Sequence, residues 1–392
     1  MVLARPIPLP YASRCFLLQR DVEIPLDLMP RLIQLGVHEV WVRCRELEFL
    51  EDIFDEAVGD RQREVYSHVR KNFEAIMRGA TVDLDISRFE NSIGSLFTCL
   101  KTSRHGNVLL QKLDAFDNYL MSHSTNVCYL AMLLGMRLDR YLIDERCFKS
   151  PREAKNLEHL GLGCLLHDVG KMRVPEQILN KPNRLTDEET AVMQQHPVIG
   201  HEMVRGKVPP VASSIVLCHH QRWDGSGYPR RVNPQTGAPL EPMQGRRIPV
   251  FSRIATVADV YDAATTARCY SPAKLPVKVL HEMRTWCRGF FDPAIERAFY
   301  EIIPPFPLGQ VVTLSNRLEA VVVDFNPQHP TRPRVQCLRS PSGERFRDPA
   351  LEEIDLAQQS ELQIAWVNGV DVRPYLGSQQ TADVAEPEPA LV

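Results

Sequence analysis

The strongest constraint on this chain is a set of ionisable residues in places where a helix should be apolar. The run "NLEHLGLGCLLHDVGK" (156–171) reads as a buried helical face that ends in His167, Asp168 and Lys171. Three other segments repeat the conflict: His196-Pro197 falls within "TDEETAVMQQHPVIGHEMVRG", His219-His220 closes "PPVASSIVLCHH", and Asp259 sits inside "IATVADVYDAA". Unpaired burial of such groups is costly. A fold that buries them must bring them together around something that neutralises them, and a metal centre does so.

Twelve histidines are present, and seven fall between His123 and His220. Imidazole mixed with carboxylate, without thiolate, suits iron, manganese, nickel or zinc. An adjacent pair of such ions can hold a bridging hydroxide that attacks phosphorus, so the chemistry expected of these ligands is phosphoester hydrolysis. Asp168 is placed to bridge both metals, with His167 and Asp259 serving one and His196, His219 and His220 the other. Lys171, one turn beyond Asp168, offers a point charge to a phosphate oxygen. Each residue also has a plainer reading. A lone histidine-aspartate pair on a helix is usually a structural hydrogen bond, and His123 in "YLMSHSTNV" reads alone as a satisfied core histidine. His159, His201 and His281 read as surface or supporting residues, while His38, His68, His105 and His329 lie outside the cluster. Adjacent His219 and His220 would point about 100° apart on a helix, so only a converging site would use both.

The length of 392 residues exceeds what one compact core organises and implies two or three domains. Residues 1–45 read as a small α/β piece, with an apolar-periodic helix through Leu35, a Gly36 stop and a Val-Trp-Val strand. Residues 46–112 read as a helical connector, 113–303 as nearly all helix, and 304–376 as a small β-module carried by "QVVTLS", "EAVVVDF" and "RVQCL". The tail 377–392 has the composition of disorder. A net charge of -3 argues against binding a nucleic-acid polymer. No apolar stretch reaches the roughly 18–20 residues of a membrane helix, and "MVLARPIPLPYASR" lacks the apolar core of a secretory signal. The ten cysteines form no C-x-x-C pair. A cytoplasmic protein with no membrane association is the expectation.

"HDVGK" (167–171), "HHQRWDGSGYP" (219–229), His196-Pro197 and "ADVYDAATTARCY" (258–270), in that family's order, resemble the HD-GYP domain, the metal-dependent branch of the HD phosphohydrolases. The resemblance covers residues 113–303. It implies a mainly α fold: an HD-type helical bundle with a small N-terminal α/β segment and a small C-terminal β-module. It also implies hydrolysis of cyclic di-GMP to pGpG and/or GMP, at two divalent metal ions, iron or manganese. The family's ligands fall on His123, His167, Asp168, His196, His219, His220 and Asp259, its catalytic positions on His167, Asp168 and Lys171, and its phosphate contacts on Lys171 and Arg268. Ser271 stands where a Lys or Arg is common. Tyr119 stands where trinuclear members carry a glutamate, which argues against a third metal.

The loop bearing Arg222, Asp224, Gly227, Tyr228 and Pro229 is linked in the family to substrate access and to contacts with diguanylate cyclase domains. Physically it reads as an ordered lid: Gly225 and Gly227 permit positive φ, Pro229 fixes the exit and Asp224 pairs with Arg222. A homodimer is a further expectation. The stretch from "PPFPLG" onward resembles the β-extension that follows some members. Two alternatives stay open: a receptor or cyclase-binding protein without useful turnover, and an HD hydrolase of another phosphoester.

Overall fold

The computed structural model describes residues 2–4, 6–9, 12–35, 37, 40, 42–43, 56–77, 86–102, 119–233, 235–266, 273–344, 346 and 353–377. Strands β1 (Ile7–Leu9) and β2 (Ala12–Leu18) precede helices α1 (Met29–Gln34), α2 (Glu56–Met77), α3 (Ile86–Thr102), α4 (Tyr119–Arg137), α5 (Asp139–Glu145) and α6 (Pro151–Ala154). Helices α7 (Glu158–Leu166), α8 (Glu176–Leu179), α9 (Asp187–Met193), α10 (His196–Val204), α11 (Pro210–Cys218), α12 (Val250–Thr265), α13 (Pro276–Thr285) and α14 (Pro293–Ile302) follow. Strands β3 (Val311–Leu314), β4 (Glu319–Asp324), β5 (Arg334–Arg339), β6 (Glu353–Asp355), β7 (Ile364–Val367) and β8 (Val370–Asp371) close the chain. The architecture is mainly helical, with a small mixed piece at one end and a β-module at the other. Among the described residues no helix is long and apolar enough to cross a membrane.

The N-terminal piece has a core of its own, built from Leu3, Ile7, Ile24, Leu32 and Val37. Its strands differ from the expectation. Among the described residues Val-Trp-Val contributes a bridge between Val42 and Leu3, while Gly36 and Trp41 lie outside them. The paired strands are β1 and β2, in antiparallel register with Ile7 opposite Leu18. Pro8 within β1 and Pro10 just after it broke the alternation by which a strand is read.

One hydrophobic core runs through the helices. Val58, Val65 and Val69 of α2 and Phe89, Ile93 and Leu96 of α3 share it with Val127, Leu130 and Leu134 of α4, Leu165 of α7, Ile215 of α11 and Ile254 and Val257 of α12. The helices of the 46–112 region therefore bury a full apolar stripe against those of 119–303. Helices α4, α7, α11 and α12 cross at the centre, and glycine lets two of them close up. A Cβ on Gly163 of α7 would lie 2.4 Å from Ile215 Cδ1 on α11.

The segment 186–204 is two helices. Thr186 and Glu189 form a capping box that starts α9. A second helix, α10, begins at His196 with Pro197 in its first turn, where proline is tolerated. At the start of α12, buried Arg253 donates to Glu145 and Asp292, to Tyr141 Oη at 2.9 Å and to Ile248 O at 2.9 Å, tying α12 to α5 and to the cap of α14.

The β-module is one antiparallel sheet in the order β6-β5-β4-β3-β7-β8. Val312, Leu314, Ala320, Val322, Val335, Ile364 and Val367 form a second core with Phe306 and with Val277 of α13, which seats the sheet on that helix. Strands β3, β4 and β5 coincide with the three runs read from sequence. β6, β7 and β8 went unread, although Asn368-Gly369, both at positive φ, is the turn that β7 and β8 share. Residues 378–392, most of the tail expected to be disordered, lie outside the described residues.

Candidate metal centre

Five helices deliver the histidines and aspartates to one place. His123 comes from α4, His196 from the first turn of α10 and Asp259 from the middle of α12. His167 caps α7, Asp168 opens a 3-10 turn over Val169–Arg173, and His219 and His220 follow α11. Their donor atoms fall into two groups, each within 4.8 Å: Asp168 with His196, His219 and His220, and His123 with His167 and Asp259. Asp168 lies between them. Its Oδ1 is 3.2 Å from His196 Nε2 and 3.7 Å from His219 Nε2, and its Oδ2 is 3.3 Å from His167 Nε2 and 3.7 Å from His123 Nε2.

Backbone carbonyls orient three of the rings. Nδ1 of His167 donates to Cys164 O at 2.6 Å, that of His196 to Met193 O at 2.8 Å and that of His219 to Val216 O at 2.9 Å, each three residues back. A carbonyl only accepts, so the proton sits on Nδ1 and Nε2 turns inward. His123 is oriented by a carboxylate instead: Nδ1 donates to Asp262 Oδ2 at 2.8 Å, and Nε2 lies 3.0 Å from Asp259 Oδ1. The sequence reading missed Asp262, although its place three residues after Asp259 on one helix was a usable signal. Thr256 Oγ1 adds a bond to His219 O at 2.7 Å.

Burial, reinforced by the neighbouring His167 and His196, pushes His219 down to about 3, and burial also lowers His196 and His220. Neutral His196 and His219 therefore face each other through bare Nε2 atoms 3.2 Å apart. At Asp168 burial acts to raise the carboxyl, but the neighbouring His167 and the Lys171 ammonium outweigh it and hold the group well below the usual carboxylate range. At His123 burial is outweighed by Asp259 and Asp262, which lift the imidazole to about 9. His167 Nε2 and Asp168 Oδ1 are buried without a hydrogen bond. Lone pairs that converge on a carboxylate in a dry interior repel unless a cation stands between them, so this donor set fits divalent metal ions. The carbonyl and carboxylate partners are those that orient metal-binding imidazoles elsewhere.

Lys171 stands at the rim, its side chain 21% exposed and its ammonium 2.7 Å from Asp168 Oδ2. Arg268 and Ser271 lie outside the described residues, as does the side chain of Tyr119. The loop after His220 departs from its expected pairing. Arg222 lies with its guanidinium 3.8 Å over the Phe290 ring, and Asp224 accepts instead from Ser226 N at 2.8 Å, a local turn that competes better than a solvated ion pair. Gly225 does adopt positive φ, at 81°, but Gly227 does not. Glycine is needed at 227 because a Cβ would lie 2.4 Å from both Arg222 N and His220 O. The Tyr228–Pro229 bond is cis, and Pro229 O accepts from Gln221 Nε2 at 2.8 Å. Tyr228 reaches back over His220, ring centroids 4.6 Å apart.

Comparison with known proteins relates the chain to HD-domain proteins. Residues 137–295 match the family described as HD domain, and residues 311–368 match the KOW domain associated with HD domain. The chain is 35% identical over 241 residues to the cyclic di-GMP phosphodiesterase PA4108 of Pseudomonas aeruginosa, covering 60% of this chain and 52% of that protein. It is 38% identical over 155 residues to the cyclic di-GMP phosphodiesterase response regulator RpfG of Xanthomonas campestris pv. campestris, covering 39% and 37%. With the 3'3'-cGAMP-specific phosphodiesterase 2 of Vibrio cholerae it shares 35% identity over 139 residues, covering 35% and 24%. The chain thus spans about half the length, or less, of these curated relatives.

Proposed function

We propose, from the premise that residues 137–295 are an HD domain of the HD-GYP type, that this protein hydrolyses the phosphodiester bonds of cyclic di-GMP, one cleavage giving pGpG and a second GMP. The observation that carries the reading is the facing pair of buried Nε2 atoms on His196 and His219, 3.2 Å apart beside Asp168. His123, His167 and Asp259 would hold one divalent cation and His196, His219 and His220 a second, with Asp168 bridging. The all-nitrogen and oxygen donor set suits iron or manganese as it does nickel or zinc, and the resemblance to the HD-GYP family favours the first two. Such a pair, when bound, supplies a hydroxide nucleophile at neutral pH and polarises a phosphoryl oxygen.

The chain's own groups do the rest. Asp168 is buried between the two donor groups, so its two oxygens fix their spacing. Lys171, partly exposed beside Asp168, can swing its ammonium to a non-bridging phosphate oxygen and meet the charge that develops there. The i−3 carbonyls keep the imidazoles of His167, His196 and His219 from reorienting as that charge moves, and Thr256 anchors the His219 backbone. The scattered cysteines, without a C-x-x-C pair, support a cytoplasmic site of action.

Relatives named for 3'3'-cGAMP favour one second reading, a preference for a mixed cyclic dinucleotide. Protein purified without oxygen, loaded with iron or manganese and offered both compounds, distinguishes the two. Faster turnover of cyclic di-GMP supports the proposal, faster turnover of 3'3'-cGAMP supports the second reading, and saturable binding of either without product overturns both.

A further inference from the structure

We infer that Tyr228 is a positioning residue for His220, and that its ring, not its hydroxyl, does the positioning. The inference rests on the metal-centre reading above. The other four imidazoles of the centre each have a hydrogen-bonded partner that sets the ring plane: a carbonyl for His167, His196 and His219, and Asp262 for His123. His220 has none among the described residues. Its nearest carboxylate contact, Nδ1 to Asp259 Oδ2, is 3.7 Å, too long for a hydrogen bond. It is also more open than the other four, its side chain 15% exposed against 0–1%. By hydrogen bonding alone its ring would be free to turn about χ2.

Ring contacts take the place of the missing partner. The phenol of Tyr228 stacks on the imidazole at 4.6 Å between centroids and 24° between planes. The His196 ring meets His220 at 5.0 Å and 90°, which closes a second direction. Rotation of His220 would break the stack on one side and strike His196 on the other. Tyr228 itself is placed by its neighbours. Its backbone N–H donates to His220 O at 3.1 Å, Gly227 leaves no Cβ to hold the two backbone strands apart, and Gln221 ties Pro229 down. The Gly-Tyr-Pro run thus folds back onto the histidine pair that precedes it. The hydroxyl of Tyr228 makes no hydrogen bond among the described residues, so the fold does not depend on it.

The test is a Mn2+ titration of the full chain, with free Mn2+ read by electron paramagnetic resonance, on wild type, Tyr228→Phe, Tyr228→Leu and His220→Ala. The expected result is two sites in wild type and in Y228F, with one site weakened by about 10- to 100-fold in Y228L, the range found when an orienting partner of a metal-bound histidine is removed. H220A should weaken the same site. Wild-type affinity at both sites in Y228L overturns the inference while leaving the metal centre standing. Equal losses in Y228F and Y228L overturn it in favour of the hydroxyl. A wild type that binds no Mn2+ overturns the metal-centre reading itself. Far-ultraviolet circular dichroism of the metal-free variants checks folding. If Y228L is unfolded, Tyr228→Met, a flexible chain of similar bulk, takes its place with the same outcomes.

Discussion

Asp262 Oδ2 lies 2.8 Å from His123 Nδ1, one turn of α12 beyond Asp259, whose Oδ1 lies 3.0 Å from the other nitrogen of the same ring. One helix thus clasps one imidazole at both ends. The outer carboxylate fixes the tautomer and strengthens the ring as a donor. Asp262→Asn is expected to lower divalent-metal affinity by about 10- to 100-fold, as measured by calorimetric titration with Mn2+. The amide keeps an oxygen for Thr266, which now donates to Asp262 Oδ1 at 3.1 Å, so the fold should survive. Unchanged affinity would remove Asp262 from the centre.

Gly170 is the point where the 3-10 turn carrying Lys171 touches α10 backbone to backbone. A Cβ there would lie 2.0 Å from His196 O and 2.6 Å from Gly200 N. Neither neighbour is a flexible side chain, so the two segments must part and carry Asp168 away from His196. Gly170→Ala should cost about 1–3 kcal/mol or more in urea unfolding and also lower bound metal. Gly94, in α3, meets nothing within 4 Å, and Gly94→Ala should instead stabilise by about 0.5–1 kcal/mol. The opposite signs check the packing account.

Arg253 is buried between Asp292 and Glu145, themselves nearly inaccessible, and its removal takes away the buried cation they share, leaving Glu145 with the exposed Arg246 and Asp292 with the Tyr141 hydroxyl and Ala294 N. Arg253→Met should destabilise the protein by about 3–5 kcal/mol, the range for breaking one side of a buried ion pair. Chemical denaturation of the metal-free protein measures this separately from any change in metal binding. A loss below about 1 kcal/mol, typical of an exposed pair, would show that the network is solvated.

Much of this molecule can be read before it is folded, and the reason is chemical. His167, Asp168, His196, His219, His220 and Asp259 interrupt apolar runs, and interruptions are visible in a string of letters. Asp262 interrupts the same run and went unread, because its use depends on which ring it faces. The partners of Arg222 and Asp224 were misjudged for a related reason. Opposite charges two residues apart suggest a pair, whereas Phe290, which the guanidinium covers, is distant in sequence and near only after folding. Gly227 read as a turn residue is a case of close approach, which only coordinates can separate from positive φ. The pairing of β1 with β2 was hidden by prolines that the short strands tolerate.

The central claim is that buried imidazoles and carboxylates hold two metal ions and that these ions cleave the phosphodiester. Metal content and cyclic di-GMP turnover, measured together on protein purified without oxygen, test it most directly when wild type is set beside the double variant His167→Ala, Asp168→Ala. The account predicts two ions per chain and linear product for wild type, with metal depleted and product formation abolished in the variant. Full activity in a variant stripped of both residues would contradict it.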